Sequence, residues 1–403
     1  MAPGDCVAVA LARKPLPRTT ARSPPRLAAS ATERGLDFDG AAFQRAATRG
    51  LEELELLDRG RHVARALRAR LPEDLPRALD VVVGALPPLG PSGATPSQDE
   101  GGSVFRWLPL SALIEAIGDE ARAQPDTFED ASFEASLRAC HALTQRFTAE
   151  FCVRPFLQLR EGDTLARLTA WTRDPSEHVR RLCSEGTRTR LPWGRRLDVF
   201  IARPAPVLAL LEHLKDDPSE YVRRSVANNL NDLAKDHPEL VLETCARWSE
   251  GANAERRRLV SHALRTLVKR GDARALGLLG MDVAHAHAHL DVQGRVTPRR
   301  VAIGGQARVS ITAKNHGTEA ARVVIDLVVH YVKKSGKTSP KVFKGKTLSI
   351  GPREVLSFER AIAFVDRSIR THEPGVHRIE AKVNGKLVPL GTIRLHAPVS
   401  GSR

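Results

Sequence analysis

The sequence predicts an α-helical HEAT-like repeat solenoid followed by an all-β sandwich of immunoglobulin-like type. Three observations carry this prediction. One helical phrase occurs twice, 43 residues apart (217 − 174), a spacing suited to two-helix repeats. Apolar residues up to about position 280 recur at helical intervals. After Met281 the period falls to two, with turn signals between short apolar runs.

Residues 1–30 are rich in Arg, Pro and Ala, with Asp5 their single clear acid. A disordered basic tail is expected there, with a DNA-contacting arm or a transit-like segment as alternatives. The helical domain is expected over 31–280. Phe43, Ala47, Leu51 and Leu54, then Val63, Leu67 and Leu71, mark the first helices; Leu71-Pro72 ends one and Leu79–Leu86 suggests another. Residues 87–103 (PPLGPSGATPSQDEGGS) read as a flexible insert, because Gly, Pro and Ser build no core. Helices resume near Ser111. Phe133, Leu137, Cys140, Thr144, Phe147 and Phe151 trace one face of a long helix, with Glu150 at the edge of that stripe. Glu150 is either a boundary residue with an ion-pair partner or a carboxylate turned toward the following repeats.

The repeated phrase is Asp174-Pro175-Ser176-Glu177-His178-Val179-Arg180-Arg181 and Asp217-Pro218-Ser219-Glu220-Tyr221-Val222-Arg223-Arg224. Asp-Pro-Ser-Glu starts a helix: a polar cap, a proline where a missing N–H costs nothing, and an acid at the positive end of the dipole. In the second copy Val222, Val226, Leu230 and Leu233 form the inward stripe, while Arg224, Asn228 and Asp232 recur every four residues on another face. The same register in the first copy aligns Glu185 with Asn228. Glu185 and Asp232 therefore fall on equivalent faces of neighbouring helices, among arginines.

A weaker third copy follows, with Leu259, Ala263 and Leu267 inside. Its other face carries Arg258, His262, Arg265 and Lys269, a stripe suited to phosphates or to solvent. Short strands are then expected at 301–303, 308–312, 322–331, 348–350, 355–364, 377–383 and 392–395, making a sandwich over 281–403. The lysines of Lys333-Lys334-Ser335-Gly336-Lys337 and of Lys341-Val342-Phe343-Lys344-Gly345-Lys346 suggest a loop that guards a sheet edge or meets nucleic acid. His285, His287 and His289 alternate as on one strand face. No carboxylate or cysteine completes a metal set with them, so a linker or ordinary strand is expected and no metal.

The 403 residues carry 62 Lys+Arg against 47 Asp+Glu, a formal net charge of +15. Such an excess favours a polyanionic partner, nucleic acid first and a membrane surface second. Five cysteines with no CxxC pair suggest reduced thiols in a cytosolic setting rather than a disulfide framework or zinc site. No apolar run approaches the roughly 18–20 residues of a membrane span, and Cys6–Leu11 is too short and broken for a signal peptide.

At Ser184-Glu185-Gly186-Thr187-Arg188-Thr189-Arg190-Leu191-Pro192-Trp193 the chain resembles the DNA alkylation repair glycosylases of the AlkC type, relatives of AlkD. Glu150-Phe151-Cys152-Val153-Arg154-Pro155-Phe156 and Asn228–Asp232 share that resemblance. So does the terminal sandwich, through Tyr331-Val332-Lys333, Lys341-Val342-Phe343-Lys344 and His377-Arg378-Ile379-Glu380. The likeness covers roughly residues 35–396 and departs at 1–30, at the insert, and at Thr189, where the family has proline. It implies excision of small cationic bases, chiefly 3-methyladenine and 3-methylcytosine, from double-stranded DNA. Glu150, Glu185 and Asp232 match the family's active-site acids, and Arg188 and Trp193 the residues around them.

The residue types suit that chemistry. A base alkylated at N3 is already positive and leaves as a neutral molecule, so no strong general acid is needed, unlike glycoside hydrolysis. Negative charge beside the developing oxocarbenium and a carboxylate for the water are needed. With no lysine evident in the cluster for a Schiff base, a monofunctional hydrolase is expected. Arg181, Arg188, Arg190, Arg224, Asn228, Arg258, His262, Arg265 and Lys269 would meet DNA, together with Lys333, Lys337, Lys341 and Lys344 from the sandwich. Trp193 either stacks on a base or sugar, or packs in the turn after Pro192; Trp171 and Trp248 are expected in the core. A cytoplasmic monomer acting on DNA without metal, cofactor or membrane is the resulting expectation. The alternative is a non-catalytic HEAT-repeat scaffold that binds nucleic acid.

Overall fold

A computed structural model describes residues 24–89, 107–366 and 371–397 of the chain. A helical region comes first and a β domain follows, in the order the sequence predicts. By their contacts the residues divide into two compact units, Met1–Asp236 with Ala254–Leu259, and His237–Asn253 with Val260–Arg403.

The first unit begins with α1 (Pro24–Thr32), α2 (Gly40–Thr48), α3 (Leu56–Arg68) and α4 (Leu75–Gly84). The expected tail is corrected at its end: Leu27 and Ala31, four residues apart, are buried, and Ser30 Oγ donates to the Val81 carbonyl at 2.8 Å. Residues 1–23 lie outside the described residues, as do 90–103 of the expected insert. Next come α5 (Leu108–Ala123), α6 (Asp130–Thr144), α7 (Arg154–Leu159) and α8 (Glu161–Trp171). The long helix expected through Phe151 stops at Thr144. Pro155 has no N–H and fits only a helix's first turn, so α7 starts afresh at Arg154. The stretch between turns back on itself, and Glu150 sits in that turn.

The two copies form α9 (Glu177–Gly186) and α12 (Glu220–Leu233), packed against one another; α10 (Asp198–Ala202) and α11 (Ala205–Glu212) lie between them in sequence. Each helix is capped by backbone at its serine, while the aspartate two residues earlier closes the turn: Asp174 Oδ1 accepts from Ser176 N–H and Asp217 Oδ1 from Ser219 N–H, both at 2.8 Å. Arg180 joins the copies, giving Nε to Asp217 Oδ2 at 2.7 Å and Nη2 to Oδ1 at 3.1 Å. Val222, Val226, Leu230 and Leu233 are all buried, as their spacing predicts. Arg224 is exposed while Asp232 is buried, so the stripe containing both runs from solvent into the interior.

The second unit holds α13 (Pro238–Ser249), the end of α14 (Ala254–Ala263), α15 (Arg265–Arg270), α16 (Ala273–Leu278) and α17 (Val283–His289). The third copy's helix is interrupted at Leu264, which caps α15. The three histidines lie on a helix, not a strand. Asp282 caps it by accepting His285 N–H at 2.8 Å, and the His285 and His289 rings meet one turn apart, tilted by 50° with centroids 4.6 Å from each other.

Eight strands make the β domain: β1 (Leu290–Thr297), β2 (Arg300–Ala302), β3 (Gln306–Asn315), β4 (Ala321–Val332), β5 (Thr338–Ile350), β6 (Val355–Ala363), β7 (Gly375–Val383) and β8 (Lys386–His396). One sheet runs β1-β3-β6 and the other β2-β8-β7-β4-β5, antiparallel except for β2 with β8. Val309, Ile311, Val323, Ile325, Val329, Ile379 and Ile393 alternate into a core completed by Tyr331 and Phe364. Strand β1 escaped the sequence reading because Gly294 stands between its two buried valines, Val292 and Val296. A Cβ there would come within 2.8 Å of Leu390 Cδ2. The lysine-rich loop is shorter than expected. Only Lys333–Lys337 forms the β4–β5 turn; Lys341 and Lys344 belong to β5, the edge strand, with Lys341 over the Phe343 ring at 5.5 Å.

Candidate active site

The site is assembled in the first unit from the turn before α7, the last turn of α9, the loop after it, and the second half of α12. Glu150 Oε2 accepts from Thr148 Oγ1 at 2.7 Å and from Arg181 Nη1 at 2.9 Å. Arg181 also reaches Glu185 Oε1 at 3.6 Å. That same oxygen takes Arg188 Nη1 at 2.6 Å, and Ser225 Oγ donates to Glu185 Oε2 at 2.6 Å. Arg188 then gives Nε and Nη2 to Asp232 Oδ2, each at 2.8 Å. Lys235 Nζ holds the other oxygen, Oδ1, at 2.8 Å. Three carboxylates and three cations thus form one unbroken chain.

Its rigidity comes from the backbone behind it. Gly186, the last residue of α9, has no room for a side chain, since a Cβ there would stand 2.7 Å from Val153 Cγ1. Arg154, 1% exposed, donates to the carbonyls of Gly186 at 2.8 Å and Arg195, tying the end of α9 to the loop beyond Trp193. Burial and the nearby Arg188 push its guanidinium down to about 10, despite the carboxylates around it. Asn229 Nδ2 donates to Ser184 O at 2.8 Å and Thr187 Oγ1 at 3.1 Å, locking α12 to α9.

Glu185 is 5% and Asp232 2% exposed. Burial alone would raise the Glu185 pKa, but the Arg181 and Arg188 guanidiniums and the Ser225 hydroxyl outweigh it and hold the carboxyl below its ordinary range. Arg181 loses stability as a cation through burial and regains more from Glu150 and Glu185, so its pKa is raised. Glu185 and Arg181 thus hold one another in their charged forms.

Residues 291–397 match the family model described as "Uncharacterised protein YhaZ, C-terminal Ig-like domain". Over 266 residues the chain is 39% identical to the uncharacterized protein YhaZ of Bacillus subtilis (strain 168), a match covering 65% of this chain and 73% of that one. It is also similar to the alkylpurine DNA glycosylase AlkC of Pseudomonas fluorescens, solved bound to DNA containing an abasic site analog. That likeness has a TM-score of 0.80 at 32% identity and covers 95% of this chain and 100% of the other. The chain belongs to the AlkC family. Its β domain is immunoglobulin-like, as the domain model describes.

Within this AlkC-type chain, Glu150, Glu185 and Asp232 are brought together. The arginines expected to offset phosphates divide differently. Arg188 is buried and committed to two carboxylates, and Arg181 is likewise drawn into the cluster, so in this arrangement neither presents a free guanidinium to a phosphate. Arg190 forms a bidentate pair with Asp236 at 2.9 and 2.6 Å. Arg224 stays on the surface beside Glu220 on its own helix, at 3.1 Å, and Asn228 is half-buried one turn before Asp232. Arg258 is exposed beside Glu255. Arg258 belongs to the first unit, whereas His262, Arg265 and Lys269 belong to the second.

Trp193 is 53% exposed and adopts φ +63°, a left-handed conformation unusual for a bulky side chain. About half of its surface is open to solvent rather than packed in the turn. Trp248 is buried as expected; Trp171 is half-buried against His141 at 5.2 Å. Sequence reasoning missed Ser225, Asn229, Arg154, Tyr221 and Lys235. Tyr221, whose ring takes the Arg181 guanidinium at 4.8 Å, was visible as the aromatic replacing His178 in the second copy. Lys235 corrects the expectation of no lysine near the acids: it follows Asp232 by three residues, which on a helix brings the two side chains together.

Proposed function

We propose that this chain is a monofunctional DNA glycosylase that hydrolyses the N-glycosidic bond of cationic N3-alkylated bases, 3-methyladenine and 3-methylcytosine, in double-stranded DNA. Membership of the AlkC family supports the reading, as does a relative solved on DNA with an abasic site analog. The observation that carries it is the chain Glu150–Arg181–Glu185–Arg188–Asp232, which concentrates three carboxylates where mere DNA binding would call for cations alone.

In the proposed reaction the C1′–N bond breaks and its electron pair returns to the ring nitrogen, cancelling the base's charge. Positive charge passes to the sugar as an oxocarbenium. Asp232 and Glu185 stabilise it at short range in a site that largely excludes water, where fixed charges act most strongly. Water bonds to C1′ and its proton goes to one of these carboxylates, leaving an abasic site and a neutral base. Glu150 fixes Arg181 and borders the lesion. Trp193, exposed beside the motif, stacks on a base or sugar. Lys235, ion-paired through its ammonium, offers no lone pair, so hydrolysis rather than Schiff-base formation is the expected course. No step calls for a metal or cofactor, and the enzyme is expected to act as a cytoplasmic monomer.

The experiment is base release from DNA treated with a methylating agent, resolved by the identity of the base freed. Glu185→Gln and Asp232→Asn should bind that DNA yet release base at least about a hundredfold more slowly. Borohydride should trap no covalent adduct. Undiminished release by both variants would move the active site elsewhere, and DNA binding without any release by the unaltered protein would favour the non-catalytic scaffold.

A further inference from the structure

Along the chain of direct ion pairs the formal charges balance only if Lys235 is counted. Glu150, Glu185 and Asp232 carry three negative charges, and Arg181 and Arg188 two positive ones; the third is the Lys235 ammonium. The three cations are not held alike. Arg181 and Arg188 each bridge two carboxylates, with side chains 18% and 9% exposed. Lys235 meets Asp232 alone and its side chain is 37% exposed. It stands just past the end of α12, on a flexible stem with a compact charged head. Arg154 is close by, but it donates to backbone carbonyls and makes no direct ion pair with the three acids.

We propose that the Lys235 ammonium is a built-in stand-in for the substrate's positive charge. This rests on the glycosylase reading above. In free protein Lys235 occupies Asp232 Oδ1 and keeps the buried acids neutralised. When damaged DNA docks, the ammonium transfers to a backbone phosphate and yields Oδ1 to the cationic nucleoside. The acids and the two bridging arginines alone sum to minus one, which one unit of positive charge restores to balance. An undamaged base brings no charge to replace the ammonium, so for it the exchange leaves a buried carboxylate uncompensated. Lys235 is thus a competitor for Asp232 Oδ1 that a cationic nucleoside displaces and a neutral one leaves in place.

The test compares duplexes carrying a cationic pyrrolidine abasic analogue with duplexes carrying the neutral tetrahydrofuran analogue, titrated over a range of salt. The unaltered protein should prefer the cation. In Lys235→Met, with nothing to displace, that preference should widen about fivefold or more. For the cationic duplex the slope of log affinity against log salt should fall by about 0.9, one phosphate contact. Lys235→Arg should keep the original slope. Lys235→Gln, which retains a donor for Asp232, repeats the test if the methionine variant unfolds. A preference that narrows or stays the same, or an unchanged slope, overturns the exchange while leaving the glycosylase reading intact. Absence of any cation preference in the unaltered protein, together with no base release, would sink both.

Discussion

Trp193 is the residue at which local strain and exposure coincide. A non-glycine side chain held at positive φ costs on the order of 1–3 kcal/mol, and this one does not recover the cost by burial. Trp193→Gly should therefore raise the unfolding temperature, or at least not lower it. DNA affinity should drop by about 1–3 kcal/mol, the worth of one aromatic–base stack. Thermal melting and a binding titration on the same variant check this; lower stability with unchanged binding would make the ring a structural prop. The adjacent acids show the opposite situation. Glu185 was identifiable as an acid in a motif, but its partners were not, because Ser225 lies 40 residues away in sequence and only helix packing brings it to Oε2.

At the scale of the element, the repeats are joined through ion pairing as well as apolar burial. Arg180 has its side chain 13% exposed and Asp217 3%, and their bond is bidentate. Arg180→Met should cost about 3–5 kcal/mol, since Asp217 would keep its charge in a buried place with the cation gone. The corresponding second-copy residue, Arg223, donates to the carbonyls of Asp217 and Pro218 on its own turn, so Arg223→Met should cost distinctly less. Urea unfolding of the two variants side by side makes the comparison, and equal losses would deny the link its role. The repeated phrase allowed these helices to be read from sequence to within a few residues. The turn holding Glu150 was misread because Phe147 and Phe151 happen to continue the spacing of α6. The proline that follows the stripe marks where α7 begins, and α6 has already ended at Thr144.

For the molecule as a whole, the net charge of +15 has an address in the second unit. Lys333, Lys337 and Lys344 are exposed on the turn and edge strand of β5, and Lys341 is half-buried beside Phe343. Replacing all four by glutamine should weaken DNA binding without changing the identity of the base released. The salt slope should decrease by about 0.9 for each lysine that meets a phosphate. A slope that does not move would leave these lysines as guards of an exposed strand edge. Among the described residues no helix is long and apolar enough to cross a membrane.

Sequence by itself determined which stretches coil and which alternate, apart from β1, the histidine helix α17 and the end of α6, because periodicity is local and survives without neighbours. It also determined the identity of the acids and the excess of positive charge. Tertiary structure alone decided which cation each acid meets. Arg188 reaches Asp232 across 44 residues, and Arg181 reaches Glu150 across 31. Those distances depend on how helices stack, a property of packed surfaces that no single stretch of chain contains. Lys235 marks the boundary between the two. Its helical spacing from Asp232 was legible, but its ion pair means something only once Arg188 is seen holding the other oxygen.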